Sequence, residues 1–297
     1  MTVMIGLDVI DQLTGGRLGK FDVPCPECSN LRSTARSRRL PVLRIWRIEE
    51  GFAGYHCAHC GEKGHARDRN SKPLDSEKLA KARIEAAEQD RIYKMERLHK
   101  ALWLWTTAIP IGDAFPPTIA ETYLCNRGYN GRIQDTVRFL PARGEYAPAM
   151  IAAFGIPTEV EPGTICIAAD AITGVHLTRL LPDGSGRERG DKAKIMIGHS
   201  MGSPIVLAPP NDLLGLAIAE GIEDALTVHQ ATGLGAWAAG AATRMPALAD
   251  VVPDYIECVT VAADDDDIGR GNAEELARRL RCRNIETRIT PVGIWNQ

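Results

Sequence analysis

The hydrophobic and polar positions are most regular in the last third of the chain. Apolar runs of five to eight residues alternate there with segments whose apolar positions recur every three to four residues. The first pattern predicts buried strands and the second predicts amphipathic helices. The predicted strands are 214–219, 234–239, 256–263 and 285–289, and the predicted helices are 222–232, 242–251 and 272–280. This βαβ alternation predicts a parallel sheet with helices on both faces.

The pattern upstream changes from region to region. Residues 40–48 alternate apolar and basic side chains, which predicts a β-hairpin. Residues 75–105 are rich in alanine with helical spacing, which predicts a long helix. Residues 119–209 contain short strand-like segments such as 164–169 and 175–181. The predicted fold class is therefore α/β, with a β module at 1–70, a helical linker at 71–112, an α+β subdomain at 113–210 and a parallel βαβ domain at 211–297.

Composition indicates the setting in which this chain works. Its 297 residues are enough for about two domains and a small module. No run of about 18 apolar residues and no signal-peptide pattern occurs, so we expect a cytoplasmic protein without a membrane partner. Eight cysteines are too few for a disulfide scaffold in a chain of this length. Four of them lie singly in apolar stretches and are predicted to be buried thiols: Cys125, Cys166, Cys258 and Cys282.

The other four cysteines form two pairs with metal-ligand spacing. Cys25 and Cys28 make one Cys-x2-Cys pair, and Cys57 and Cys60 make the second. Each pair can supply two corners of a tetrahedron, so together they predict one structural zinc ion in a ribbon. A redox pair or four unrelated buried cysteines are the alternatives. Three nearby histidines are expected to be surface residues rather than ligands: His56, His59 and His65.

The segment between the two cysteine pairs is strongly basic. Residues 32–47 contain six arginines and no acid, although the whole chain has a net charge of -3. Arginines interleaved with aromatic rings suit single-stranded nucleic acid, because rings stack on bases while guanidinium groups contact phosphates. A merely solvated charged face is the alternative. The candidate residues are Arg32, Arg36, Arg38, Arg39, Arg44, Trp46, Arg47 and Tyr55.

Acidic residues follow two of the predicted parallel strands. Glu220 ends one strand, and Asp264 and Asp266 lie just after another, so all three are expected at one edge of the sheet. Carboxylates placed so close together repel one another unless a cation neutralises them. Magnesium or manganese suits such oxygen ligands. For the neighbouring Asp267 we instead expect a helix cap.

These motifs carry a resemblance to a known domain. Residues 220–226 (EGIEDAL) and 263–269 (ADDDDIG) resemble the glutamate motif and the DxDxxG motif of the Toprim domain of bacterial-type primases, topoisomerases and related nucleases. Residues 123–128 (YLCNRG) and 194–198 (KIMIG) are similar to segments of the primase core upstream of Toprim. The order of ribbon, core subdomain and Toprim resembles DnaG-type primases, especially the short primases of phages and mobile elements.

The resemblance implies primer synthesis. The chain would bind a single-stranded DNA template and join ribonucleotides, with Glu220, Asp264 and Asp266 as catalytic residues that hold magnesium or manganese. Arg127 and Lys194 would contact phosphates of nucleotide or template. Because the sequence contains no Walker-type phosphate loop, a separate replicative helicase is an expected partner.

Other functions of a Toprim chain stay open at this point. A metal-dependent nuclease could use the same acids. A non-catalytic DNA-binding accessory protein could retain the motif as a relic. A topoisomerase would need a nucleophilic tyrosine presented to the acids, and none of the six tyrosines lies in a recognisable context for that role.

Overall fold

The computed structural model describes residues 5–30, 35–68, 76–112, 116–190 and 192–295. These residues divide into two compact units, Met1–Arg91 and Ile92–Gln297. The fold is mixed α/β, as predicted. Among the helices in the described part of the chain, none combines the length and apolar character needed to cross a bilayer.

The first unit is built on a four-stranded antiparallel sheet. Its strands follow chain order and are β1 (Gly19–Val23), β2 (Leu43–Glu49), β3 (Phe52–Cys57) and β4 (Lys63–Arg67). Two helices precede β1 and β2 respectively, α1 (Leu7–Thr14) and α2 (Ala35–Arg38). The predicted hairpin is confirmed, since β2 pairs with β3 through partners such as Arg44 and His56. One face of the sheet packs Leu43 and Ile45 against Ile10 of α1.

A long helix, α3 (Ser76–Thr107), contains the boundary between the units. Its last turns belong to the second unit, where Ala101 and Trp105 are buried in an apolar cluster. The guanidinium of Arg97 donates a hydrogen bond to the carbonyl oxygen of Met196 at 2.8 Å. The C-terminal part of the helix is thus fixed to the second unit by packing and by a side-chain hydrogen bond.

The second unit begins with a five-stranded antiparallel sheet. Helix α4 (Ile119–Asn126) packs in the same core and starts at a capping box formed by Thr118 and Glu121. The sheet order is β11-β10-β7-β6-β5, and a separate hairpin joins β8 to β9. The strands are β5 (Ile109–Pro110), β6 (Val137–Leu140), β7 (Ala149–Phe154), β8 (Thr158–Glu161), β9 (Thr164–Cys166), β10 (Gly174–Arg179) and β11 (Lys194–Gly198).

The C-terminal sheet is the predicted parallel βαβ layer. Its order is β12-β14-β13-β15-β16, and β12 alone runs antiparallel to its neighbour. The elements are β12 (Ile205–Ala208), β13 (Gly215–Ala219), α5 (Ile222–Thr232), β14 (Gly235–Ala238), β15 (Cys258–Ala263), α6 (Asp267–Cys282) and β16 (Glu286–Pro291). Three 3-10 segments complete the second unit, Ala169–Ala171, Ala242–Asp250 and Val292–Trp295. The helix predicted at 242–251 is present as the 3-10 helix Ala242–Asp250, and Pro246 within it lacks the N–H of a regular α-helical turn.

The prediction of four buried single cysteines is wrong. Cys125, Cys166 and Cys282 are exposed, and Cys258 is half-buried. The Cys125 thiol donates to Oδ1 of Asn130 at 3.3 Å, and the Cys166 thiol donates to Oδ2 of Asp135 at 3.4 Å. Neighbours along a helix or strand point to different faces, so an apolar stretch around a cysteine does not bury it.

Candidate functional site

The two cysteine pairs lie at one end of the first sheet. The strands β1 and β3 are both antiparallel to β2, so they run in the same direction and end at the same edge. Cys25 and Cys28 follow β1, and Cys57 and Cys60 lie at the end of β3. Each pair is held in a tight turn: Ser29 N–H donates to the Cys25 carbonyl at 2.9 Å, and Gly61 N–H donates to the Cys57 carbonyl at 3.0 Å.

The four sulfurs have the spacing of a tetrahedral zinc site. All four lie within 4.8 Å of one another. The Sγ atoms of Cys25 and Cys60 are 4.0 Å apart, and those of Cys28 and Cys57 are 3.8 Å apart. Sulfurs at the Zn–S distance of about 2.3 Å would be about 3.8 Å apart. Burial raises the pKa of the Cys25 thiol to about 12, so a thiolate there needs a compensating cation. The residues therefore fit one zinc ion.

The face of the first sheet that points away from its apolar core carries basic and aromatic side chains. In β2, Leu43, Ile45 and Arg47 point into the core, whereas Arg44 and Trp46 occupy the other face. The strand register places further side chains beside them. We call this surface the ribbon face; it comprises Lys20, Asp22, Arg44, Trp46, Phe52, His56, Lys63 and His65.

The aromatic part of the ribbon face is accessible for stacking. Trp46 pairs with Gly54, and a Cβ on Gly54 would meet no atom within 4 Å, so the space beside the indole is open. Phe52 stacks on His65 with ring centroids 5.9 Å apart. Arg44 donates to both carboxylate oxygens of Asp22, which lowers the pKa of that carboxyl and offsets part of the positive charge.

Two residues predicted for a cationic surface lie elsewhere. Arg47 is 5% exposed, forms an ion pair with Asp11 and donates to the carbonyl of Glu50 at 2.8 Å. Tyr55 is buried, and its hydroxyl accepts a hydrogen bond from the backbone N–H of Ile5. Both point inward because they alternate along their strands with the residues of the ribbon face.

Of the other arginines predicted for this surface, Arg38 and Arg39 are exposed. Arg32 and the side chain of Arg36 lie outside the described residues. The three histidines are exposed, as predicted.

Removing single groups from the ribbon face should weaken binding to single-stranded DNA. We expect Trp46→Ala to lower affinity about ten-fold, since one stacked base contributes about 1–3 kcal/mol. Lys63→Gln should reduce the slope of log affinity against log salt by about 0.7, the value for one phosphate contact on a single strand. Fluorescence anisotropy with a labelled oligonucleotide across a salt series measures both. Arg91→Gln is the matched control because Arg91 is bound to Glu88 on helix α3. An unchanged affinity and slope would identify the ribbon face as ordinary surface.

The acidic residues of the second unit meet at the carboxyl edge of the parallel sheet. The strands β13 and β15 are adjacent and parallel, with Ala219 opposite Ala262. Glu220 follows β13 directly, and Asp264 follows β15. Among the described residues, the cysteine cluster is the group whose donor atoms lie within 4.8 Å of one another; the carboxylates lie at one edge without reaching that spacing.

Burial and the neighbouring carboxylates shift the pKa values of these acids in the same direction. Burial, Asp264 and Asp266 raise the pKa of Glu220. Burial and Asp266 raise the pKa of Asp264. Burial, Asp264 and Glu223 raise the pKa of Asp224, a residue without a predicted role. A raised pKa means that the ionised form of the carboxyl group is disfavoured unless a cation is nearby. This arrangement suits a hard divalent metal ion, which would neutralise the carboxylates.

The acidic run also starts helix α6, in a different way from the prediction. Oδ1 of Asp266, not of Asp267, accepts the hydrogen bond from Gly269 N–H at 2.6 Å and caps the helix. Asp265 and Asp267 are more than nine-tenths exposed and bind Arg270. The cap predicted at Asp267 is wrong because Asp266 is the last extended residue, the position at which a side chain reaches the first free N–H groups.

A second, buried carboxylate lies beside this edge. Glu223, in the first turn of α5, accepts a hydrogen bond from the Tyr123 hydroxyl at 2.6 Å, and Lys194 Nζ lies 3.5 Å from its other oxygen. Burial works to raise the pKa of Glu223, but Lys194 and Tyr123 outweigh it and hold that pKa below its usual value. Lys194 also opposes the pKa rise of Glu220, Asp224 and Asp264. Lys194 therefore favours the ionised form of the carboxyl groups along the whole acidic edge.

The other basic residue named from the sequence lies nearby. Arg127 follows α4 as its C-terminal cap, is exposed, and opposes the pKa rise of Asp224. Arg127 and Lys194 thus flank the acidic edge from the α4 end and from β11. The structure adds Tyr123, Glu223 and Asp224 to the site. The sequence signal for them was their place within the quoted YLCNRG and EGIEDAL segments, but only the folded chain brings them together.

Two family models match parts of the second unit. A Toprim domain model matches residues 215–294, and a model described as a domain of unknown function matches residues 95–207. Residues 215–294 therefore form a Toprim domain, which confirms the domain predicted from the two acidic motifs. No curated protein matches the chain.

Two primase structures are similar to the chain at low identity. The primase fragment of the bacteriophage T7 primase-helicase protein is 12% identical with a TM-score of 0.37, covering 91% of this chain and 89% of that one. The Aquifex aeolicus primase, in its zinc-binding and RNA polymerase domains, is 12% identical with a TM-score of 0.43, covering 97% of this chain and 79% of that one.

Proposed function

We propose that this chain, whose residues 215–294 form a Toprim domain, is a DNA primase that joins ribonucleotides on a single-stranded DNA template. The observation that carries the proposal is the meeting of Glu220 and Asp264 at the carboxyl edge of that domain, where Asp266 and burial raise their pKa values. The four-cysteine ribbon, with its basic and aromatic face, supplies a surface suited to a template strand.

The chain's own residues supply positioning and charge. Glu220, Asp264 and Asp266 would hold one or two magnesium or manganese ions, which neutralise charge that develops on the transferred phosphoryl group. Arg127 and Lys194 would bind phosphate oxygens of the incoming nucleotide or the template strand. Glu223 keeps Lys194 beside the edge, and Tyr123 fixes Glu223.

Primer synthesis itself is the test. The full chain is incubated with single-stranded DNA of mixed sequence, labelled ribonucleotides and magnesium or manganese, and short products are resolved on a gel. We expect template-dependent oligoribonucleotides of a few nucleotides that require the divalent metal.

Each competing function gives a different product in that assay. Shortened DNA without new RNA would indicate a metal-dependent nuclease. A shifted DNA band with neither product, over many templates and with both metals, would indicate a DNA-binding accessory protein. Adding a replicative helicase to the reaction tests the expected partner, because a functional contact should increase the yield of primers.

A further inference from the structure

Exposed aromatic and cationic side chains lie together on the second unit, outside both sites described above. Trp103 of α3 is 50% exposed, and Tyr146, between β6 and β7, is 61% exposed. Arg143 lies in the same β6–β7 connection and is exposed. We call Trp103, Arg143 and Tyr146 the aromatic patch.

Backbone geometry makes the patch continuous. Arg143 and Tyr146 exchange two backbone hydrogen bonds of 3.0 Å across a two-residue turn, Gly144-Glu145. Gly144 has φ of 58°, the left-handed conformation that such a turn requires at its first position. Residues directly opposite in an antiparallel pair point to the same face, so the arginine and the tyrosine are neighbours. The guanidinium carbon of Arg143 lies over the Trp103 ring, 5.6 Å from its centroid.

The helix and the strand that lead to the aromatic patch contact each other through their side chains. Two residues beyond Trp103, the buried Trp105 packs under Arg138, whose guanidinium carbon is 4.3 Å from the ring centroid. Arg138 belongs to β6 and is bound to Asp135 at 2.8 Å. Helix α3 and strand β6, the two elements that lead to the patch, are therefore in direct contact through Trp105 and Arg138.

We infer that the aromatic patch binds single-stranded DNA and is a second template contact in addition to the ribbon face; this rests on the proposed function for its role in priming. The exposed Trp103 and Tyr146 rings offer stacking surfaces for bases, and the guanidinium over Trp103 offers a hydrogen-bonding cation for a phosphate. The turn carries one acid, Glu145, so the attraction at this surface comes from stacking together with a single charge rather than from a broad positive field.

Tryptophan fluorescence isolates this surface. In a Trp46→Phe background the ribbon indole is absent, Trp105 and Trp237 are buried and Trp295 is partly buried, so Trp103 is the most exposed indole. Titration with oligothymidylate, without added divalent metal or ribonucleotides, should quench this emission, and Trp103→Phe should remove most of the quenching. By anisotropy, Trp103→Ala should bind about ten-fold more weakly, and Arg143→Gln should reduce the salt slope by about 0.7.

Matched variants separate the inference from folding and from the proposed function. Tyr255 is 58% exposed elsewhere on the second unit, so Tyr255→Ser should bind like the parent, whereas Tyr146→Ser should not. Unchanged quenching in Trp103→Phe together with unchanged affinity in Trp103→Ala would overturn the inference. A concentration-dependent dimer in sedimentation that Trp103→Ala abolishes would also overturn it and assign the patch to self-association. If the parent makes no primers but the patch variants still lose DNA binding, the inference about the aromatic patch holds and only the proposed primase activity is refuted.

Discussion

Glu220→Gln and Asp264→Asn should each lower primer synthesis about a thousand-fold while leaving DNA binding within about two-fold of the parent. Each change removes one negative charge from the acidic edge and nearly preserves shape. Metal-borne charge stabilisation of several kcal/mol would be lost, and each 1.4 kcal/mol or so corresponds to a factor of ten in rate. Product yield per enzyme over time, with magnesium and separately with manganese, measures the effect.

The same acidic run supplies the control. Asp265→Asn makes the identical chemical change at a side chain that is 91% exposed and bound to Arg270, so primer synthesis should stay within about two-fold of the parent. Asp266→Asn should lose activity but keep the helix cap, because asparagine caps as well as aspartate. Without divalent metal, Glu220→Gln should unfold at a temperature equal to or above that of the parent, since a repulsive charge has gone. Parent-like primer yields from Glu220→Gln and Asp264→Asn would remove these carboxylates from the mechanism.

Cys28→Ser should cost the chain its zinc ion and the folded state of the ribbon. The ribbon has a small apolar core, and structural zinc contributes on the order of 10 kcal/mol to such modules, more than a core of this size provides. We expect about one zinc per chain in the parent by elemental analysis and close to none in the variant. Limited proteolysis should then cut residues 1–70 rapidly, and single-stranded DNA binding should weaken.

An exposed cysteine away from the ribbon provides the comparison. Cys125→Ser alters a thiol in the second unit that contacts Asn130, so the zinc content and the protease resistance of the ribbon should not change. A parent that contains no zinc after purification without chelators would refute the site.

The sequence was informative where a function imposes a spacing or a period. Two Cys-x2-Cys pairs indicated the metal site, and the βαβ alternation placed Glu220 and Asp264 at one edge of the sheet, although only the structure shows that their strands are neighbours. It was less informative where the answer depends on strand register. Arg47 and Arg44 look alike in a basic run, but they lie on opposite faces of β2, and only pairing with β1 and β3 shows that Lys20 and Lys63 share the exposed face with Arg44.

Long-range partners explain the remaining errors. Glu223 looks like an ordinary acid in the first turn of a helix, because its partners Tyr123 and Lys194 lie 100 and 29 positions away in the chain. The aromatic patch likewise joins α3 to a turn 40 residues later, which no local periodicity reports.

The wrong position of the α6 cap has a local cause. The cap is the last residue in extended conformation, and the four identical side chains of 264–267 do not show which residue that is.

The contacts of Glu223 have a consequence for how such a chain can be recombined. Tyr123 and Lys194 lie within the segment that matches the domain of unknown function, or 95–207, whereas Glu223 lies in the Toprim segment. One apolar cluster also contains both Phe154 and Leu226. A chimaera that takes residues 215–294 from a chain without a carboxylate at position 223 would leave the buried Tyr123 hydroxyl without its acceptor and Lys194 without its ion-pair partner. Positions 123, 194 and 223 should therefore be inherited together, and grafts that exchange all three should fold where grafts of the Toprim segment alone do not.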